Sequence, residues 1–169
     1  MNQRTKQISI LALVISLSVW IGSFERYFNF GGIQIGLCFV PILIFQDFYG
    51  LKSGILCLLC YNAIKTIFLS KSGILGFLNR ASIIFYMAFR KNYPKKIINI
   101  VLYDILGLFF FILSKIPTSY IFWKSSSNFE NYKLFDIITR FIIPTNLINL
   151  LVIILVSRIM NFRKFNRLG

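Results

Sequence analysis

Charged side chains occur at four positions inside otherwise apolar stretches of this chain. These are Lys65, Arg80, Asp104 and Arg140. An ionisable group within hydrocarbon is costly, so it usually faces a polar cavity or an oppositely charged partner. Three of the four are basic, and an arginine does not lose its charge in proteins. We therefore expect a polar site that holds an anion: a carboxylate, a phosphate or an electron-rich ring edge.

Uncharged polar residues accompany these ions, namely Gln34, Asn79, Asn146 and Asn149. The three-residue spacing of Asn146 and Asn149 places both on one face of a helix. Together with Lys65, Arg80 and Arg140, these residues predict a ligand-binding pocket between several helices. In the alternative, Lys65 and Arg140 extend to lipid headgroups while the asparagines join helices. For Asp104 we expect pairing within the bundle.

Catalytic and metal chemistry have little to rest on in this sequence. It contains no histidine, and Cys38, Cys57 and Cys60 all lie in apolar runs, where a cysteine behaves as a small hydrophobic residue. Neither a nucleophile–base arrangement nor a phosphate-binding G-x-x-x-x-G-K-[ST] motif occurs. We expect no enzymatic activity, no metal site and no cofactor.

The elements that must position these residues are long apolar runs. The chain has 169 residues, of which 57% are hydrophobic, and its mean hydropathy is +0.73. No charge occurs in Gln7–Phe24, Tyr27–Gln46 or Phe141–Ser157. Such runs approach the roughly 20 residues that a helix needs to cross a bilayer. We predict an all-α integral membrane protein with about six transmembrane helices.

The whole chain, residues 1–169, is predicted to form a single transmembrane domain. The expected spans are residues 8–24, 33–48, 53–69, 74–89, 97–113 and 138–160. Pro41 and Pro144 fall inside the second and sixth spans, where each predicts a kink or a break. Residues 114–136 form the one long connection in this scheme.

Basic residues predict the orientation of the spans. The net charge is +14, and lysine and arginine concentrate at both termini and in the Arg90–Lys96 loop. Because such loops remain cytoplasmic, we expect a multi-pass protein of the plasma or inner membrane with both termini in the cytoplasm. The basic charge then meets lipid headgroups, and we expect no nucleic-acid partner.

Small residues on the first span predict a close helix contact. Ala12 and Ser16 have the four-residue spacing that lets a second helix approach closely. The contact is either internal packing or the binding of an external partner helix.

Four segments resemble the substrate-binding S component of energy-coupling factor (ECF) vitamin transporters. They are Thr5–Ser16, Gly32–Pro41, Tyr49–Gly54 and Ile143–Asn149. The first resembles the basic start and AxxxA helix of that family, with Ser16 in place of the second alanine. The last resembles the Pro-Phe-Asn-Leu-Ile-Lys stretch of riboflavin-type members, with Thr145 and Asn149 as departures. Gly36 and Phe39 stand where riboflavin-type members carry acids.

This resemblance implies an S-component-like fold and the capture of a vitamin-like small molecule, riboflavin or a related compound. It also implies partners: a membrane coupling protein, met by the Ala12 and Ser16 face, and ATPase subunits that supply energy. The region around Gly32–Leu37 also resembles the Gx transporter family, whose substrate is unknown. A related six-helix plan occurs in the MreD type of rod-shape protein, which offers cell-wall morphogenesis as an alternative function.

Overall fold

The structure, a computed structural model, describes residues 3–24, 29–30, 33–34, 36–69, 73–90, 97–124, 138 and 142–165. Within these ranges the chain is helical apart from one short hairpin and its connections, which confirms the all-α prediction. The helices are α1 (Gln3–Phe24), α2 (Phe39–Tyr49), α3 (Leu51–Ile64), α4 (Gly73–Ala81), α5 (Ile83–Phe89), α6 (Ile97–Lys124) and α7 (Ile143–Phe165). A π-helical turn, Lys65–Leu69, continues α3.

The hairpin consists of β1 (Asn29–Phe30) and β2 (Ile33–Gln34), which pair antiparallel with Phe30 opposite Ile33. The end of the bundle next to this hairpin is called the hairpin end. At the opposite end, Gly50 joins α2 to α3 with a φ of +85°, a conformation that favours glycine. This is called the Gly50 end. Gln7 of α1 donates to Ser53 of α3 at 3.2 Å, so α1 also begins there.

The second predicted span differs from the observed helix, because α2 begins at Phe39 and not at residue 33. Ile33 and Gln34 belong to the hairpin instead. Pro41 therefore lies in the first helical turn, where a missing N–H costs no hydrogen bond. The predicted kink at Pro41 is wrong for this reason.

In the sixth predicted span the α-helix α7 begins at Ile143, so Pro144 is its second residue. Ile138 and Ile142 have π-helical conformation, and residues 139–141 lie outside the described part of the chain, so the predicted start at residue 138 stays a prediction. In contrast, α6 continues through Pro117 to Lys124, and part of the predicted long connection is helical. The fourth predicted span divides into α4 and α5 at Ser82, whose hydroxyl donates to the Asn79 carbonyl at 2.7 Å. Such side-chain bonds to the backbone compete with regular helix formation.

The core is built around α2, in which seven of eleven residues are buried. Ile42, Leu43 and Phe45 of this helix pack with apolar side chains of α3, α5, α6 and α7. On α1, by contrast, Ser18 is the sole buried residue among the side chains described. The first helix therefore covers the core from one side and leaves most of its surface outward.

Three helices in the described part of the chain are long and apolar enough to cross a membrane by length and composition. They are Arg4–Phe24, Leu51–Phe68 and Val101–Thr118. Phe39–Tyr49 and Ile143–Ile159 are shorter apolar helices. The count of six spans stays a prediction.

Candidate functional site

The turn that precedes α2 collects polar contacts from several helices at the hairpin end. The Gly36 amide donates to the Asn149 Oδ1 of α7 at 2.8 Å. A Cβ on Gly36 would lie 3.1 Å from the Phe39 ring and 3.6 Å from that oxygen. A larger residue would therefore crowd the position, and glycine lets the hairpin end approach α7 closely.

Cys38, two residues after Gly36 in this turn, is the last acceptor of a hydrogen-bond relay that begins at Lys65. Lys65 Nζ lies 2.9 Å from the Tyr61 hydroxyl, to which it donates. That hydroxyl donates in turn to Cys38 Sγ at 2.9 Å. Tyr61 is fully buried, and its ring meets the Phe39 ring edge-on at 5.9 Å. Lys65 is therefore held at the turn by a defined contact.

Gly22 brings α1 against the same relay. A Cβ on Gly22 would lie 3.0 Å from both Lys65 Nζ and the Tyr61 hydroxyl oxygen. The absence of a side chain at Gly22 thus lets the lysine lie between α1 and α3.

Arg80 and Asn79 occupy α4 beside the π-helical turn. Arg80 Nη2 donates to the Thr66 hydroxyl at 2.7 Å, and Thr66 follows Lys65 in the chain. The Asn79 side-chain oxygen is buried and has no hydrogen-bond partner among the described residues. A buried polar atom of this kind is where a ligand or an ordered water is expected.

Asn146 and Asn149 both start α7, but their contacts differ. Asn146 is buried, and its amide nitrogen donates to the Ile142 carbonyl at 2.7 Å within its own chain segment. Asn149 reaches the hairpin end through Gly36. One asparagine therefore stabilises the start of its own helix, and the other joins two elements.

Two of the predicted site residues lie beyond this description. The backbone of Gln34 belongs to β2, but its side chain lies outside the described residues, as does the whole of Arg140. Lys65 and Asn149 meet at the turn before α2, whereas Arg80 and Asn79 lie with Thr66. Whether these residues share one pocket stays a prediction.

Sequence reasoning missed two residues in the bundle interior. Lys115, assigned to a loop because Ser114 and Pro117 follow the apolar run, lies on α6 with a side chain only 9% exposed. Asn62 on α3 is fully buried, and neither atom of its amide has a hydrogen-bond partner among the described residues. The position of Asn62 inside an apolar run was the signal that could have found it.

Asp104 belongs to a separate network at the Gly50 end. Arg158 of α7 donates to both carboxylate oxygens of Asp104 at 3.1 and 2.8 Å, and the Tyr86 hydroxyl donates to Oδ1 at 3.0 Å. The expected pairing of Asp104 within the bundle is confirmed. Arg90, at the end of α5, extends the network by donating to Tyr86 and Ser157 at 2.9 and 3.0 Å.

The predicted partner face of α1 is outward. Ala12 and Ser16 are both exposed, and the Ser16 hydroxyl donates to the Ala12 carbonyl at 2.9 Å. Because this bond satisfies the Ser16 hydroxyl within the helix, the face presents two small side chains and no free hydroxyl donor. Exposure favours an external contact over internal packing for this pair.

A groove of about 850 Å³ lies on the flank between α1 and α2. Apolar and aromatic side chains line it, including Trp20, Ile44 and Tyr49. None of the predicted site residues is among the lining side chains. The polar contacts at the hairpin end are therefore separate from this apolar groove.

The part of the chain that is described contains no cluster of side chains that could hold a metal ion. No group of three or more His, Cys, Asp or Glu side chains converges there. The polar groups at the hairpin end are instead hydrogen-bond donors, amides and ammonium groups suited to an organic ligand or an anion.

No protein-family model matches the chain. No curated protein matches it either. A solved structure does match: the S component of a bacterial ECF transporter, with a TM-score of 0.71. The superposition covers 99% of each chain at 20% sequence identity. The chain therefore has the fold of an ECF transporter S component, which confirms the S-component-like bundle expected from the sequence.

Proposed function

We propose that this chain is the membrane-embedded substrate-capture subunit of an ECF-type transporter and takes up a vitamin-like small molecule. The observation that carries the proposal is the fold match, which extends over 99% of both chains. A match of this extent includes all the helices described above, so the proposal draws on the whole fold and not on one part of it.

The capture site is proposed at the hairpin end, from the predicted residues Gln34, Lys65, Asn79, Arg80, Arg140, Asn146 and Asn149. Two contacts support this location: the bond from Gly36 to Asn149 and the relay from Lys65 to Cys38. Both attach the hairpin end to helices that carry predicted site residues. A molecule entering there meets amide and ammonium groups against the buried aromatic rings of Phe39 and Tyr61, as in many ligand sites.

The partners in this proposal are a membrane coupling protein and ATPase subunits, because the sequence carries no phosphate-binding loop of its own. The exposed Ala12 and Ser16 face is proposed as the contact for the coupling protein. Both termini, and with them the Gly50 end, would lie in the cytoplasm of a multi-pass protein of the cell membrane.

The test is to identify small molecules that co-purify with the detergent-extracted protein by mass spectrometry. Uptake of the same molecules is then measured in cells that express the chain with and without an ECF coupling module. Riboflavin and related compounds are tested first because of the Ile143–Asn149 resemblance. Uptake that requires both the chain and the module supports the proposal, and the absence of module-dependent uptake for every co-purified molecule contradicts it.

A further inference from the structure

Lys115 is a buried cation that lies over an aromatic ring and donates no hydrogen bond to the described residues. Its side chain is only 9% exposed. The ammonium nitrogen lies 4.8 Å from the centroid of the Phe111 ring, and Phe111 belongs to the buried core cluster that also includes Cys38 and Phe39. An aromatic face compensates a desolvated ammonium only in part. The ammonium group is therefore desolvated, and the described residues accept no hydrogen bond from it.

The described carboxylates do not neutralise this charge. The chain has five acidic residues, and the described ones, Asp47 and Asp104, are paired with Arg90 and Arg158. Both pairs lie at the Gly50 end of the bundle. Among the described residues, no acid contacts Lys115.

The core cluster connects Lys115 to the hairpin end of the bundle, because Cys38 and Phe39 of this cluster lie at the start of α2. Cys38 lies in the turn before α2, where it also receives the Tyr61 hydroxyl. The neighbouring Gly36 is bonded to Asn149 of α7. Lys115 therefore places a cation of α6 beside the core at this end of the bundle, and no hydrogen bond from its ammonium group is made within the described residues.

We propose that Lys115 binds the anionic group, a carboxylate or a phosphate, of the molecule that this protein captures. The inference rests on the proposed function and specifies its substrate class. An isolated buried ion is unfavourable, whereas a buried ion that gains a charge-assisted hydrogen bond on ligand binding discriminates strongly for that ligand. Lys115 thus determines specificity for charge, while the surrounding amides and rings recognise the rest of the molecule.

The test uses acetate and inorganic phosphate as probes at constant ionic strength, balanced with chloride. The unfolding midpoint of the purified protein is measured as the concentration of each anion rises. We expect a saturable increase of about 2–4 °C for at least one anion. In Lys115→Met the increase is expected to be lost, and in Lys52→Met, which removes an exposed lysine from the Gly50 end, it is expected to remain.

The unfolding midpoint of Lys115→Met without added anions shows whether this variant folds. It should exceed that of the wild type, because an apolar side chain of similar length replaces an unpaired buried ion. The proposal is overturned if neither anion stabilises the wild type saturably, or if Lys115→Met responds as the wild type does. If neither anion raises the unfolding midpoint while a neutral molecule shows module-dependent uptake, the transport function is supported and the anionic substrate class is contradicted. If an anion raises the unfolding midpoint but no co-purified molecule shows module-dependent uptake, the anion site is supported and the transport function is contradicted.

Discussion

Arg90 and Asp47 form a bidentate ion pair inside the bundle. Arg90 Nε and Nη2 donate to the two oxygens of Asp47 at 2.9 and 2.7 Å. The Arg90 side chain is fully buried and that of Asp47 is 5% exposed. Since Arg90 also donates to Ser157, this pair joins the ends of α2 and α5 to α7.

Removal of one partner of this pair should destabilise the protein strongly. In Arg90→Met the carboxylate of Asp47 loses its buried partner, which costs about 3–5 kcal/mol. The control is Arg158→Met, whose pair with Asp104 is 13% exposed on each side and should cost less. Thermal unfolding in detergent measures both, and equal stability of Arg90→Met and wild type would contradict the expectation. The double variant Asp47→Leu with Arg90→Met should recover part of the loss.

Substitution of Gly54 should destabilise the protein in proportion to side-chain size. A Cβ at Gly54 would lie 2.6 Å from Gln46 Cβ and 2.9 Å from Met87 Cε, so α2 and α3 must separate. Gly54→Ala should cost about 1–3 kcal/mol, and Gly54→Leu more. At Gly50 the space is open but φ is +85°, so alanine and leucine should both cost about 1–2 kcal/mol. The prediction is contradicted if, in the same unfolding assay, the loss of stability depends on side-chain size at Gly50 and not at Gly54.

Reporter fusions should place the two ends of α6 on opposite sides of the membrane. The basic loop that ends at Lys96 is expected in the cytoplasm, and the Ser125–Ser127 stretch is expected outside. A phosphatase reporter should be active only at the second position, and a fluorescent cytoplasmic reporter only at the first. The same side for both positions would contradict the six-span topology.

Ala12→Trp should abolish uptake and leave ligand binding intact. Ala12 is exposed and small, so an indole there prevents close approach of a partner helix without disturbing the core. Ile105→Trp is the control, because Ile105 of α6 is 57% exposed and already bulky. The measurements are module-dependent uptake in cells and affinity of the purified protein for the co-purified molecule. Loss of both in Ala12→Trp would indicate internal packing instead.

Arg80→Gln should weaken binding of the co-purified molecule by more than about tenfold, since a charge-assisted contact contributes about 1.5–3 kcal/mol. The bond from Arg80 to Thr66 holds the guanidinium in place before the ligand arrives, which reduces the entropic cost of binding. Calorimetric titration of the purified variant measures the change, with Lys52→Gln as a charge-matched control at an exposed position. Unchanged affinity in folded Arg80→Gln would make Arg80 a structural residue.

The helices were predictable because a run without charge has few alternatives in a membrane, and α1 and α3 follow their runs closely. The helix starts were less predictable, since proline marks a first turn as readily as a break: Pro41 lies in the first turn of α2, whereas the sequence placed it inside a longer helix. Pro117 shows the reverse error. It signalled a loop, yet α6 continues through it, and this misplacement hid Lys115.

The sequence predicted which residue types form the candidate site better than it predicted which partners they contact. Sequence spacing placed Asn146 and Asn149 on one helix face, but it did not distinguish the local bond of the first to the Ile142 carbonyl from the contact of the second with Gly36, which tertiary packing sets. Lys65 and Arg80 each donate to a neutral hydroxyl group, and a hydroxyl residue carries no distinctive signal in an apolar sequence. Pairing across distant segments, such as Asp104 with Arg158, is likewise set by the fold.

The π-helical turn at Lys65–Leu69 has a consequence for the comparison of related chains. Its hydrogen bonds enclose one residue more than those of an α-helix, so the segment contains an extra residue for the same number of turns. A relative with regular winding at this point should align with a single-residue gap between residues 65 and 69. Deletion of Ile67 would mimic such a relative, because the segment could then wind as a regular α-helix while the later side chains keep the neighbours they meet now.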